Sequence, residues 1–319
     1  MQYKTITGTD LRVSAVALGL ANIGVRYSEP AGFKLLDAFK AAGGTFLDTA
    51  AVYSDWQPGE TRRSERILGD WLQSRRCRKE MIIATKGGHP HLQNMGKSRL
   101  SRRELTEDVG GSLQSLQIDC IDLYYLHRDD PAIPAEDILA TLETFVKEGK
   151  IRWYACSNWT TNRIAEAASA ADTHGWTGFR ANQMLWNFGS RHMTPPADPT
   201  LVRMDASMHA YHKETQLTAI PFTSQAQGFF SKLVSETDDT PLDTPYATPD
   251  NKRRFDELQT LSPQTKASSA ALVLGFLIAQ PFPTIPIVGC RTIGQLQDSL
   301  TALSLNEDSL RALRDIADW

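Results

Sequence analysis

Short apolar segments recur along the chain, separated by polar stretches. The eight segments occupy residues 15–18, 45–47, 81–84, 121–126, 153–156, 181–184, 217–220 and 284–288. Short continuous apolar runs are typical of strands that are buried on both faces in a parallel sheet. Most of them precede a polar or glycine-containing loop and then a helical pattern, which indicates repeated β-loop-α units.

Eight such units in 319 residues predict a (β/α)8 TIM barrel of class α/β, and we expect residues 1–319 to form one domain. An open, doubly wound sheet is the structural alternative. It is disfavoured because no G-x-G-x-x-G sequence opens any of the helical segments. Residues 3–13 place Gly-Thr-Asp between two β-like stretches and predict an N-terminal β-hairpin at the N-terminal end of the barrel.

Local signals predict how the connecting segments fold. Ser64 is a candidate N-cap for a helix through residue 72, and Ser-x-x-Glu at Ser101 predicts a capped helix to residue 116. Ser262-Pro263 predicts the start of an apolar helix over 267–279. Residues 229–261 are polar and rich in Asp, Thr and Pro, so they predict a long loop after the seventh barrel strand.

Composition narrows the range of partners. The formal net charge of −3 gives no electrostatic reason to expect nucleic acid or an anionic membrane. The four cysteines lack C-x-x-C and disulfide-scaffold spacing, and with the polar N-terminus they predict a cytoplasmic protein with free thiols. The longest apolar run, 270–279, is too short to span a membrane. No metal site is predicted, and the oligomeric state stays open.

The residues that follow the predicted strands carry the candidate chemistry. In such barrels the active site is built at the C-terminal ends of the strands. These positions hold polar or ionisable groups and one aromatic ring: Asp48, Lys86, His127, Ser157, Asn158, Phe222 and the Gly-Cys-Arg segment 289–291, with Gln183 inside the sixth strand. Tyr53 follows the second strand closely. We expect all of them to converge on one rim.

Together these groups suit the protonation of a carbonyl oxygen. A charge pair of Lys86 with Asp48 is expected to lower the pKa of a nearby phenol, so that Tyr53 acts as an acid or base near neutral pH. His127 is expected to orient the substrate oxygen. The alternative is an aldolase that forms a Schiff base on Lys86, which is disfavoured because such a lysine needs no neighbouring aspartate.

At these residues the sequence resembles the aldo-keto reductase superfamily, in its bacterial-type branch, over essentially the whole chain. The resemblance rests on residues 44–53 (GTFLDTAAVY), 64–69 (SERILG), 83–86 (IATK) and 121–127 (IDLYYLH). It implies a catalytic tetrad of Asp48, Tyr53, Lys86 and His127. It also implies an NADP(H)-dependent oxidoreductase that interconverts an aldehyde, ketone or sugar carbonyl with the alcohol, with Tyr53 as proton donor or acceptor.

The resemblance further implies a cofactor site. Ser157, Asn158 and Gln183 match the residues that hold the nicotinamide carboxamide, and Phe222 matches an aromatic side chain stacked on its ring. The other implied cofactor residues lie in a pyrophosphate loop and an adenosine-phosphate segment: Thr223, Ser224, Gln225, Gly228, Gly289, Arg291, Gln295, Asp298 and Ser299. A cationic Arg291 suits the 2′-phosphate of NADP.

The chain departs from the family pattern at several positions. Ser54 and Gln227 stand where many members have glycine, and Ser224 stands where many have proline. The segment 289–296 lacks the Lys-Ser pair common in animal members, so NAD stays open as the alternative cofactor.

Two further questions stay open at this level. Some members of the family resemble redox-sensing or regulatory subunits that bind cofactor and turn over slowly, and this is the alternative function. The substrate pocket is expected to be shaped by loops, and its candidate residues are Trp56, His89, His91 and Trp159.

Overall fold

The computed structural model describes residues 1–57, 59–235 and 244–316. Its strands are β1 Tyr3–Thr5, β2 Arg12–Ser14, β3 Ala17–Gly19, β4 Phe46–Asp48, β5 Ile82–Gly87, β6 Ile121–Leu126, β7 Ile151–Ser157, β8 Ala181–Gln183, β9 Thr218–Ala219 and β10 Ile287–Val288. Its α-helices are α1 Glu29–Ala41, α2 Arg63–Arg75, α3 Arg102–Leu116, α4 Ala135–Lys147, α5 Thr161–His174, α6 Ala206–Thr215, α7 Phe229–Ser235, α8 Pro249–Thr265, α9 Ser269–Ile278, α10 Ile293–Leu300 and α11 Glu307–Ile316.

Strands β3 to β10 form one parallel sheet that closes on itself. Their order is β10-β3-β4-β5-β6-β7-β8-β9, and each strand overlaps or adjoins one of the apolar segments of the sequence. The ends of this order meet where Ala219 forms a parallel bridge with Thr284 and accepts a hydrogen bond of 2.9 Å from the backbone N–H of Ile285. The (β/α)8 barrel is therefore confirmed, and the open sheet is excluded.

The N-terminal hairpin closes one end of this barrel. Strands β1 and β2 pair antiparallel, with Thr5 opposite Arg12. Ile6 and Val13 are fully buried in the cluster of apolar side chains that fills the barrel interior. Because Lys4 Nζ donates to the carbonyl of Thr284 at 2.9 Å, just before β10, the hairpin lies at the N-terminal end of the strands.

The helix starts are predicted correctly in one case of three. Ser101 caps α3 and accepts a hydrogen bond from the N–H of Glu104, as expected. Ser64 is not a cap: it lies inside α2, where its hydroxyl donates to the Leu20 carbonyl at 2.9 Å. Pro263 does not open a helix either. It lies within α8, and α9 begins at Ser269, because Ser268 supplies the cap there.

The segment 229–261 is not the continuous loop that its composition predicts. It contains α7 and most of α8, while residues 236–243 lie outside the described part of the chain. The helix was not predicted because α8 buries only a few residues, among them Leu258 and Leu261, so its sequence lacks a clear apolar periodicity. Tyr246, in the described part of this segment, contacts the loop after β8, where Asn187 Nδ2 donates to the Tyr246 hydroxyl at 3.0 Å.

The four cysteines are free thiols, as their spacing predicts. Burial raises the pKa of Cys290 to about 11, so this thiol stays protonated at neutral pH. Within the described ranges, no helix combines the length and the apolar character needed to cross a membrane.

Two departures from the family pattern lie at left-handed backbone positions. Ser54 has φ 73° and Gln227 has φ 56°, a region that costs a non-glycine residue about 1–2 kcal/mol. Ser54 is buried, and its hydroxyl donates to the Ile23 carbonyl at 3.0 Å, which offsets part of that strain. Gln227 is exposed and forms no side-chain hydrogen bond within the described residues, so its strain has no visible compensation.

We therefore expect Gln227→Gly to raise the free energy of unfolding by about 0.5–1 kcal/mol, since the relief of strain exceeds the added entropy of glycine in the unfolded chain. Urea denaturation measures the change. Ala165→Gly is the matched control because Ala165 is exposed inside helix α5, where glycine lowers stability by about 1 kcal/mol. A loss of stability in both variants contradicts the interpretation.

Candidate active site

Lys86 is the buried centre of the site. Its side chain is fully buried on β5, its Nζ lies 2.5 Å from Oδ1 of Asp48, and it donates to the Thr49 carbonyl at 2.8 Å. Burial lowers the pKa of Lys86, but the negative charge of Asp48, together with the hydrogen bonds to Asp48 and Tyr53, outweighs burial, so the pKa lies above the usual value. The ammonium group therefore stays charged inside the barrel, where a buried charge requires a partner.

Tyr53 lies against this charged pair. The Nζ atom of Lys86 is 4.7 Å from the centre of the Tyr53 ring. Burial raises the pKa of Tyr53 above its ordinary value, and the positive charge of Lys86 opposes that rise without cancelling it. The expectation of a lowered pKa is therefore wrong, because desolvation of the phenolate outweighs the lysine. The phenol is neutral at physiological pH and can donate a proton.

His127 completes the cluster as a neutral imidazole. Its ring meets the Tyr53 ring edge-on, with 5.6 Å between the centroids. Its backbone N–H donates to the Gly87 carbonyl at 2.8 Å, which fixes the start of the loop after β6. Burial and, after it, the positive charge of Arg128 hold the pKa of His127 well below its usual range. A neutral imidazole can bond to a substrate oxygen through one ring nitrogen.

The strand order explains why these side chains meet. Asp48 ends β4, Lys86 is the next-to-last residue of β5, and His127 directly follows β6, and these three strands are neighbours in the barrel. Parallel neighbours end at the same rim, so residues far apart in the sequence converge there. The structure thus brings the four predicted tetrad residues together.

The residues matched to the nicotinamide site come from the next strands around the barrel. Gln183 on β8 donates through Nε2 to Oδ2 of Asp48 at 2.9 Å. Asn158, which follows Ser157 at the end of β7, donates through Nδ2 to the His127 carbonyl at 3.2 Å. Both amides therefore also hold the tetrad in place. Sequence reasoning missed this role because it depends on the strand register.

The turn after β9 has the local conformation of a cradle. Thr223 has φ 54° and Gly228 has φ 79°, and the Ser224 hydroxyl donates to the Ile287 carbonyl. Gln225 donates through Nε2 to the Ser299 hydroxyl at 3.1 Å, so the turn is tied to helix α10. Phe222 precedes this turn and is partly buried against the barrel interior.

The segment after β10 leads into α10 with a cation at its start. Arg291 is exposed, and its guanidinium has no ion-pair partner in the described part of the chain. Its backbone N–H donates to Oε1 of Gln295 at 2.8 Å, and a Cβ atom added at Gly289 would meet nothing within 4 Å. The Asp298 carboxylate accepts a hydrogen bond from the Ser268 hydroxyl at 2.9 Å, so one of its acceptor positions is already occupied by a group of the protein.

One supporting network was not found from the sequence. Glu65 on α2 is fully buried, and its carboxylate accepts hydrogen bonds from the Thr85 hydroxyl at 2.6 Å and from Arg62 at 3.0 Å. Thr85 is the neighbour of Lys86 on β5, so this network anchors the strand that carries the lysine. A glutamate next to the predicted start of a helix gave no signal by itself that its carboxyl group is buried.

The four candidate pocket residues separate clearly. Trp56 and His91 are exposed, and Trp159 is fully buried in the core, where its indole N–H donates to the Arg128 carbonyl at 3.3 Å. His89 is only 8% exposed, and its ring contacts the His127 ring with 4.8 Å between the centroids. Only His89 among these four is placed directly beside the tetrad.

The barrel and the rim cluster define a TIM-barrel protein with a candidate functional site at the C-terminal ends of its strands. The model of the Aldo/keto reductase family matches residues 15–318, and the chain belongs to that family. The bacterial-type branch within the family stays a prediction.

Several relatives resemble the chain over almost its whole length. The uncharacterized oxidoreductase YrpG of Bacillus subtilis is 28% identical, covering 99% of this chain and 96% of the relative. The aryl-alcohol dehydrogenase [NADP(+)] of Phanerodontia chrysosporium is 29% identical, covering 97% and 83%. A probable voltage-gated potassium channel subunit beta of Oryza sativa is 24% identical, covering 96% and 92%. The names of these relatives therefore include oxidoreductases and a probable channel subunit.

Proposed function

We propose that this protein is an NADP(H)-dependent oxidoreductase of the cytoplasm that interconverts an aldehyde, ketone or sugar carbonyl with the corresponding alcohol. The observation that carries the proposal is the contact of a neutral Tyr53 with the Lys86–Asp48 pair and with a neutral His127 at one rim. The name of the aryl-alcohol dehydrogenase [NADP(+)] supports the reaction class.

The chain's own groups move and stabilise one proton. When bound, the reduced nicotinamide supplies the hydride that reaches the carbonyl carbon. The Tyr53 hydroxyl donates its proton to the carbonyl oxygen, and the charge of Lys86 stabilises the phenolate that remains. His127 orients the carbonyl oxygen without adding a proton of its own, because burial keeps the imidazole neutral.

The residues present fit an extended dinucleotide. Ser157, Asn158 and Gln183 line the rim beside the tetrad, and Phe222 follows the next strand. The cradle formed by Thr223, Ser224, Gln225 and Gly228 would lie along the pyrophosphate, and a Cβ atom added at Gly289 would meet nothing within 4 Å, which leaves open space there. The adenosine end of the cofactor would be bound by Arg291, Gln295, Asp298 and Ser299. The guanidinium of Arg291, which has no ion-pair partner among the described residues, suits a phosphate and favours NADP over NAD.

We expect Arg291→Ala to raise the KM for NADPH about tenfold, because an exposed charge-assisted contact to the 2′-phosphate is lost. The KM for NADH should stay unchanged, since that cofactor lacks the phosphate. Arg102→Ala is the matched control, because Arg102 is also exposed but lies at the start of α3, after β5. Equal increases for both cofactors contradict a phosphate contact.

Cofactor binding by a slowly turning regulatory subunit is the second candidate, and the name of the Oryza relative favours it. NADPH oxidation with a panel of aldehydes, ketones and sugars distinguishes the two functions. Turnover faster than about 1 s⁻¹ with at least one carbonyl supports the enzyme. Cofactor binding, measured by fluorescence, with no turnover above background supports the regulatory subunit.

Schiff-base chemistry is disfavoured, because Asp48 holds Lys86 in its protonated form.

A further inference from the structure

His89 lies on the side of the rim that the matched cofactor residues leave free. It follows β5 by two residues, and β5 is flanked in the barrel by β4 and β6. The residues matched to the cofactor lie at the ends of β7 and β8 or after β7, β9 and β10 instead. A side chain that adjoins the tetrad from the β5 connection therefore borders the space for the substrate.

The tautomer of His89 is fixed by its own loop. Its Nδ1 lies 2.6 Å from the Pro90 carbonyl oxygen. A carbonyl oxygen can only accept, so Nδ1 carries the hydrogen. Burial and, after it, the positive charge of Arg128 lower the pKa of His89, so the ring is neutral near pH 7. Its Nε2 is then an acceptor, and it has no hydrogen-bond partner within the described residues.

The loop that carries His89 is held firmly at its base. The backbone N–H of Gly88 donates to Oδ2 of Asp108 at 2.8 Å. Arg99 binds the same carboxylate at 2.9 Å and also donates to the His89 carbonyl at 3.3 Å. The ring of His89 is further packed edge-on against His127, with 4.8 Å between the centroids. The acceptor nitrogen therefore has a defined position before any substrate enters.

Donor and acceptor chemistry then decides what His89 can bind. A carbonyl oxygen has only lone pairs, so the Tyr53 phenol can donate to it and the Nε2 atom of His89 cannot. The Nε2 atom of His89 can accept a hydrogen bond from a hydroxyl group, and the described residues leave this acceptor without a protein donor. Because the His89 ring contacts the His127 ring, a hydroxyl bound at Nε2 is expected close to a carbonyl oxygen that His127 orients.

We propose that His89 accepts a hydrogen bond from a hydroxyl on the carbon next to the reacting carbonyl, which makes 2-hydroxy aldehydes and 2-hydroxy ketones the preferred substrates. This inference rests on the proposed carbonyl reduction. It names the substrate class of that same site. His89 is a specificity-determining residue here, and it takes no part in the proton transfer itself.

The test compares lactaldehyde with propanal, two aldehydes that differ by one hydroxyl group. We expect the wild-type protein to reduce lactaldehyde with a kcat/KM about tenfold or more above that for propanal. In His89→Phe, which keeps an aromatic ring against His127 but lacks the acceptor, this ratio should fall to about one. His89→Gln places an amide oxygen near the position of Nε2 and should restore part of the ratio.

His91→Phe is the matched control, because His91 is exposed two residues further along the same loop. Its ratio should equal that of the wild type. Equal losses for both aldehydes in His89→Phe would assign His89 a purely structural role and overturn the inference. An unchanged ratio overturns it as well, and in both cases propanal turnover leaves the proposed function intact. Absence of turnover with any carbonyl of the panel overturns the proposed function, and the inference with it.

Discussion

Tyr53→Phe should lose about 10²–10⁴-fold in kcat/KM for carbonyl reduction, the contribution typical of a positioned general acid, while it still binds NADPH. The substitution removes only the hydroxyl, so the ring keeps its contacts with Lys86 and His127. Stopped-flow turnover and quenching of cofactor fluorescence measure the two quantities on the same sample. Full activity in this variant would refute the role of Tyr53.

Tyr211→Phe is the matched control, because it removes the same atom from a partly buried tyrosine on α6, away from the tetrad. It should leave kcat/KM unchanged.

The pH profile of the wild-type reaction provides a second criterion. Because burial raises the pKa of Tyr53 above the ordinary value near 10, the acid form persists, and the rate of reduction should stay constant from about pH 6 to 9. The reverse oxidation needs the phenolate and should accelerate as the pH rises.

Lys86→Met should lower the free energy of unfolding by about 3–5 kcal/mol and also remove most of the activity. The lysine side chain is fully buried, and its loss leaves the Asp48 carboxylate in the barrel without its cation. Among the described residues, Gln183 is then the one remaining hydrogen-bond donor to the Asp48 side chain. Urea denaturation measures the stability, and the same aldehyde assay measures the activity.

The double variant Lys86→Met with Asp48→Asn isolates the electrostatic part of this loss. Without a buried charge it should regain most of the stability but none of the activity. The pH dependence of the single variant has a definite sign. Burial raises the pKa of Asp48 in the folded state above the value in the unfolded chain, so the deficit is small near pH 4 and grows as the pH rises. A deficit that is equal at pH 4 and pH 8, or a double variant as unstable as the single one, contradicts this account.

Most of the architecture could be predicted from the sequence because it follows from repetition. Each barrel strand is a short apolar run, and the rule that rim residues follow the strands identifies Asp48, Lys86 and His127 as neighbours. Tyr53 needed the motif resemblance, since a tyrosine after an apolar strand is by itself a packing residue. The strand pattern therefore supports the fold, and the motif resemblance supports the candidate tetrad separately.

Two kinds of feature could not be predicted from the sequence: pKa values that depend on opposing effects of burial and charge, and contacts that depend on the order and register of the strands. The pKa of Tyr53 results from desolvation against the charge of Lys86, and only the packed site shows that desolvation prevails. The bond from Gln183 to Asp48 joins residues 135 positions apart and requires the order of the strands. The start of α9 was also predicted wrongly. The helix begins after Ser268, which caps it, and not at Pro263.

The N-terminal hairpin also determines how the protein can be attached to a solid support. Met1 is 37% exposed, and the hairpin that follows it covers the end of the barrel opposite the tetrad. An affinity tag or covalent linker placed before Met1 therefore points the rim with Tyr53 and His89 away from a resin or an electrode. Immobilisation through this terminus should keep the site open to cofactor and substrate in flow, whereas random coupling through surface lysines has no such orientation.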